Sequence, residues 1–173
     1  GGEPVDLSVR YTRHGPVISD TYGGLEDFSA NAGIDDLPQN YVIALRWTAL
    51  EPARTFPALW KLDLAQNYEE FRAAVSEFDV PSQNFVYADV DGNIAYQTPG
   101  RIPIRAAGDG TVPVPGWTDE FEWLGYIPFE ELPFAYNPPQ GYIATANNAV
   151  AASDYPYLLT TEWDYGFRAQ RIV

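Results

Sequence analysis

The sequence predicts an α+β fold: mainly antiparallel strands with few helices, in one domain spanning residues 1–173. Three observations carry this. Fifteen Pro and fourteen Gly punctuate the chain too often for long helices. Several short runs alternate apolar and polar residues between turn signals, as half-buried strands do. Only one segment, Asn67 to Asp79, keeps a helical period.

Val5 to Arg13 (VDLSVRYTR) alternates as a strand. His14-Gly15-Pro16 reads as a turn and Val17-Ile18-Ser19 as the return strand. Gly23 to Gln39 is polar and Gly-containing, hence a loop, and Tyr41 to Thr48 (YVIALRWT) reads as a central strand. Glu51 to Pro57 is broken by two prolines. In the helix that follows, Asn67 can cap the first turn, where Glu69 and Glu70 complement the dipole. Phe71, Ala74, Val75 and Phe78 form one apolar stripe, and Pro81 accounts for the stop. Gln83 to Gln97 predicts a hairpin about a two-residue Asp91-Gly92 turn. Pro99 to Pro115 reads as an irregular excursion. Glu122 to Tyr126 and Gly141 to Thr145 read as short strands, and Tyr155 to Leu159 as the start of a last short element.

Composition excludes several function classes. The net charge is −14, with nine Arg and one Lys, so no basic cluster is available to neutralise phosphates and nucleic acid is not expected as a partner. An acidic solvated surface accounts for this balance more simply than a high-salt habitat. The absence of Cys removes disulfides, thiolate metal sites and a Cys nucleophile. No run of about 18 apolar residues is present, so no helical membrane span is expected.

Candidate sites divide by whether their chemistry is complete. Asp89-Val90-Asp91-Gly92-Asn93 begins like a calcium loop, but the twelfth position from Asp89 is Gly100, where such a loop needs a bidentate Glu. A hairpin turn explains the segment better. His14 is the only His, and beside a Gly-Pro turn it reads as structural rather than as the base of a triad. Paired carboxylates such as Asp35/Asp36 and Glu130/Glu131 are what chance gives with 24 acidic residues. Gly108-Asp109-Gly110 lacks the Lys-Ser/Thr ending of a phosphate loop. Trp117, Trp123, Tyr126, Phe129, Phe134 and Tyr136 could line a sugar face or an acyl pocket, though core packing is the simpler reading. Asn147-Asn148 after GYIATA is, on its own, a turn signal.

The strings DVDGNIAY, PGRIPIR, VPVPGW, EWLGYIPF and NPPQGYIATANN, in that order between Gln83 and Asn148, resemble the interior of the large subunit of penicillin acylases. The likeness extends more faintly to Val9–Ser19 and Tyr41–Pro52. The resemblance implies an excised part of a four-layer αββα N-terminal-nucleophile hydrolase. In that family an N-terminal Ser attacks an amide carbonyl with its own α-amino group as base. No such nucleophile begins this chain, and the segment carrying it is expected upstream of Gly1.

By its place in the GYIATANN string, Asn147 resembles the family's oxyanion-hole amide. Arg171 in FRAQRI resembles the arginine that orients the site, with Arg168 as the alternative. The resemblance also implies a structural calcium in the parent enzyme, with a backbone carbonyl near Gly110 as one ligand. Its carboxylate ligands would lie outside this chain, so no metal residue and no cofactor is assigned here.

The implied partners are the rest of the parent α and β chains and a small acyl-amide substrate. The parent is expected to be periplasmic or secreted. The piece alone is expected to be inactive, and its exposed sheet surface to favour self-association. A different class of function also fits the composition: a non-catalytic, aromatic-rich β domain that binds a sugar or a peptide.

Overall fold

A computed structural model describes residues 2–20 and 41–173. They group into two compact units that divide after Glu51. The predicted Gly23–Gln39 loop lies outside the described residues.

In the first unit, β1 (Tyr11–Thr12) and β2 (Gly15–Pro16) form a short antiparallel hairpin. The strand expected from Val5 is thus only its last two residues before the turn. Val5, Leu7 and Val9 stay exposed, so the alternation buries no face. The return strand is Gly15–Pro16 rather than residues 17–19. Val17 instead makes an isolated bridge to Ala44. Among the described residues, Tyr41–Thr48, expected as a central strand, pairs only through that bridge and the flanking hydrogen bonds of Ile43 and Leu45, before a 3-10 turn at Thr48–Leu50. A Cβ on Gly15 would lie 2.2 Å from the Leu45 carbonyl oxygen, and its φ is +119°, so both space and backbone require glycine there.

The second unit opens with a helix that the prolines obscured, α1 (Thr55–Leu64). Pro57 falls in its first turn, where the missing N–H has no intrahelical partner to lose. Helix α2 (Tyr68–Ser76) follows the prediction closely. Asn67 Oδ1 accepts from the Glu70 N–H at 2.9 Å, and the Glu70 carboxylate reaches back to the Gln66 N–H at 2.8 Å. All four stripe residues, Phe71, Ala74, Val75 and Phe78, are buried. The helix ends before Asp79, whose carboxylate instead takes the Arg54 N–H at 2.5 Å and faces Arg101 Nε at 3.3 Å.

Strands β3 (Phe85–Ala88), β4 (Ile94–Gln97) and β7 (Phe134–Tyr136) form an antiparallel sheet with β4 in the centre. β3 and β4 pair from Phe85↔Gln97 to Ala88↔Ile94. Their loop is longer than the expected two residues. The Asp89 N–H donates to the Asn93 carbonyl, leaving Val90-Asp91-Gly92 between them, and Gly92 sits at φ +86°. This is a tight turn closed by a left-handed Gly. The Asp89 carboxylate accepts from the Asn93 N–H and amide at 2.8 Å and from the Tyr87 hydroxyl at 2.9 Å. It is committed to the hairpin.

Helix α2 covers this sheet through aromatic rings. Tyr68 lies 4.3 Å from Tyr136, and Phe71 lies 5.0 Å from Tyr87. A second pair of strands, β5 (Pro103–Arg105) and β6 (Trp123–Tyr126), corrects the reading of residues 99–115 as wholly irregular. Pro103 is tolerated because a two-stranded ladder has only edges.

The aromatic stretch is therefore divided among separate packing roles. Tyr136 stacks on α2, Trp123 meets Tyr126 edge-on, and Trp117 is exposed. Gly141–Thr145 and Tyr155–Leu159 form neither strand nor helix. The last element, α3 (Phe167–Ile172), has no counterpart in the sequence reading. The whole is an α+β structure of small antiparallel sheets and few helices. Among the described residues, no helix is long and apolar enough to cross a membrane.

Candidate active site

The chain bends at Asn147, whose φ of +61° is left-handed, a conformation that asparagine adopts more readily than most residues. The neighbouring Asn148 holds the bend: its side-chain oxygen accepts from the Ala146 N–H at 3.0 Å, and its amide donates to the Ala149 carbonyl at 3.1 Å. Asn147 is thereby left exposed with its side chain free for other work. Its carbonyl accepts from the Asp164 N–H at 2.8 Å, tying the bend to the segment that leads into α3.

That segment supplies the cation. Asp164 Oδ1 accepts from the Gly166 N–H at 3.0 Å, and Gly166, at φ +86°, starts the helix. Arg168, in the first turn, donates through Nη2 to Asn147 Oδ1 at 2.9 Å and to Asp164 Oδ2 at 3.0 Å. The Arg168–Asp164 pair is largely solvated and adds little stability. Its importance is geometric. Arg168 takes the amide oxygen of Asn147, so the amide nitrogen, which makes no hydrogen bond among the described residues, faces outward as a neutral donor.

The structure brings Asn147 together with Arg168 and not with Arg171. Arg171 lies on the following turn of α3, exposed and without a hydrogen bond or ion pair among the described residues. Sequence spacing could not separate the two arginines, because both sit in FRAQRI. The signal available was Asp164 four residues before Arg168, an i,i+4 pair that holds the earlier side chain toward the bend.

A cavity of about 360 Å³ opens over this arrangement, lined by Gln83, Asn84, Thr145, Asn147, Arg168 and Ile172. Gln83 and Asn84, which lead into β3, were not singled out by the sequence. The cavity's one hydroxyl, on Thr145, is buried without a hydrogen-bond partner among the described residues, so no base activates it. The site can donate hydrogen bonds to an oxygen; among the described residues that line it, none pairs a nucleophile with a base.

Arg168 first, and the Gly166 N–H second, hold the Asp164 carboxyl below its usual pKa. The folded value is depressed, so whatever Asp164 contributes is present above its unfolded pKa and is lost as pH falls through the folded one. A carbon-13 titration should therefore place the Asp164 carboxyl midpoint below the ordinary value of about 3.9. With Arg168→Ala the midpoint should return toward that value.

The side chains around Gly110 are engaged with one another. A Cβ on Gly110 would lie 2.8 Å from Arg105 Nη2, so a guanidinium already occupies the space beside that backbone. The Asp109 carboxylate is turned to the Thr111 N–H at 2.9 Å and to its hydroxyl at 2.6 Å. Among the described residues, no group of three or more His, Cys, Asp or Glu side chains is placed to hold a metal.

Comparisons with known proteins agree on one family. A family model described as penicillin amidase matches residues 1–173. An acyl-homoserine lactone acylase, QuiP, of Pseudomonas fluorescens (strain Pf-5) is 34% identical over 172 residues, 99% of this chain and 20% of that protein. The penicillin acylase 2 proenzyme of Pseudomonas sp. (strain SE83) is 33% identical over 174 residues, 100% of this chain and 20% of that protein. Among solved structures, a thermostable penicillin G acylase from Alcaligenes faecalis superposes with a TM-score of 0.68 at 32% identity, covering 96% of this chain and 27% of that one. The chain thus spans about a fifth of the length of these curated relatives.

Proposed function

The chain belongs to the penicillin amidase family, and from that premise we propose that it is the part of an acyl-amide hydrolase that carries the oxyanion donor. The observation that supports this is the Asn147 amide, its oxygen held by Arg168 and its nitrogen free at the rim of a cavity. A tetrahedral intermediate at an attacked carbonyl needs such a donor, fixed before the charge develops. A neutral amide suits the task because its strength does not vary with pH.

Arg168 is the positioning residue in this reading, in preference to Arg171, because it alone touches the Asn147 amide. The nucleophile is an N-terminal Ser, contributed with its α-amino base by polypeptide outside these residues. The remaining chain completes a four-layer αββα fold around the site. The substrates are amides with a cleavable acyl group, of the penicillin or acyl-homoserine lactone kind that the relatives' names describe.

The division of labour sets the test. The purified 173-residue chain should show no saturable hydrolysis of an arylacetyl anilide, whereas the full-length polypeptide that contains it should turn the same substrate over. Saturable turnover by the 173-residue chain would overturn the assignment of the nucleophile to a missing segment. A full-length protein inert toward both anilides and acyl-homoserine lactones would overturn the amidase reading itself.

A further inference from the structure

Two amides that line the cavity share one arrangement. Asn147 gives its oxygen to Arg168 and keeps its nitrogen free. Asn84, the residue before β3, gives its oxygen to the hydroxyl of Tyr96 on β4. Its own nitrogen makes no hydrogen bond among the described residues. Asn84 is exposed and reaches the same cavity.

The group behind Asn84 is rigid. Tyr96 and Thr98 are each 7% exposed, and their hydroxyls touch. A phenol carries a single proton. Since Tyr96 donates that proton to Asn84, Thr98 must donate to the phenol oxygen. The order of donors is then Thr98, Tyr96, Asn84. Reversing the Asn84 amide would reverse the whole chain and leave the buried Thr98 proton without an acceptor, which is costly in a dry site. Burial also raises the Tyr96 phenol pKa, which keeps it protonated and donating. The Asn84 oxygen is therefore held on Tyr96, and its N–H groups are left for an acceptor in the cavity that Asn84 lines.

A second fixed donor has no acceptor in a substrate whose only carbonyl is already held by Asn147. We infer that Asn84 is a substrate-binding residue that donates to a second acceptor oxygen of the bound molecule. The preferred substrates are then acyl amides with a carbonyl beyond the scissile one, in either the amine part or the acyl chain. This inference rests on the reading of Asn147 as the oxyanion donor, and it adds a preference among acyl amides that Asn147 alone does not create.

The experiment uses the full-length polypeptide with three substrates of one acyl length: a plain acyl anilide, the 3-oxo-acyl anilide and the acyl-homoserine lactone. Asn84→Asp keeps an oxygen for Tyr96 and removes the N–H. It should lower the preference for at least one oxygen-bearing substrate over the plain anilide by about three- to tenfold in kcat/KM, the value of one neutral hydrogen bond. The change should appear mainly in KM. Tyr96→Phe keeps the ring, frees the amide to rotate, and should move the same ratio in the same direction by less. If neither variant moves either ratio, Asn84 does not bind substrate and the inference fails. Asn147→Ala separates the two levels of the argument. If it leaves all three substrates turned over normally, the oxyanion reading fails and takes this inference with it. If it suppresses all three while the Asn84 ratios stay fixed, only the inference fails.

Discussion

On the proposed function, Asn147→Ala in the full-length polypeptide should lower kcat by about 10²–10³ with little change in KM, the loss measured when one oxyanion donor is removed. The split between the constants follows from where the interaction is made. A donor aimed at a developing oxyanion strengthens as charge builds, so its loss falls on the transition state rather than on ground-state binding. Asn147→Asp should be at least as damaging. The Asp carboxylate can still accept from Arg168, but it offers the oxyanion a lone pair and a negative charge where an N–H stood. Arg168→Ala should cost less, because it releases the amide to rotate without removing the donor. In the double variant the two losses should not add, since Arg168 acts through Asn147. Full additivity would mean that Arg168 has a separate role, and a wild-type kcat in Asn147→Ala would remove Asn147 from the site. Steady-state kinetics on one anilide substrate across the wild type and the four variants decides between these outcomes.

How much of this was legible in the sequence depends on how local the determining physics is. Helix α2 was readable to its cap, because Asn67, Glu70 and the stripe from Phe71 to Phe78 act within one segment. The β3–β4 hairpin was readable for the same reason, apart from a loop one residue longer than expected, which the left-handed Gly92 closes. Tyr41–Thr48 misled because apolar content signals a long strand only if a neighbour supplies a long ladder, and among the described residues only Ile43 to Leu45 pair, with Pro16 to Ser19. Helix α1 was hidden because Pro57 looks like a breaker unless its place in the first turn is known. The site divides in the same way. Asn147 is singled out by its string and lines the cavity. Its partner was not separable, because the choice between Arg168 and Arg171 turns on helical phase and on Asp164, and α3 itself was not expected. Gln83 and Asn84 gave no signal, since their nearness to Asn147 is tertiary.

Phe71→Ala should destabilise the second unit by about 3–5 kcal/mol, the range for removing a buried aromatic side chain. Phe71 is 4% exposed on the inner face of α2, with the Tyr87 ring at 5.0 Å and the Tyr68 ring at 6.3 Å. The hole cannot easily close. The Tyr87 hydroxyl is fixed to Asp89 at 2.9 Å, and Tyr68 is held against Tyr136 at 4.3 Å, so neither ring can swing in without breaking another contact. The cavity penalty therefore adds to the transfer term instead of relaxing away. Against a total stability of about 5–15 kcal/mol for an ordinary domain, this loss is large. The neighbouring Arg72 supplies the control. Its ion pair with Glu130 lies at the surface, with the Glu130 side chain 71% exposed, so Glu130→Ala should cost little. Urea unfolding of the two variants, followed by circular dichroism, should show a large fall in midpoint for the first and a small one for the second. Equal midpoints would mean that α2 is not seated on the sheet. The comparison also bears on function. The sheet that α2 covers includes β4, which carries Tyr96 behind Asn84, so a loosened core should blur the Asn84-dependent substrate preference before the chain unfolds.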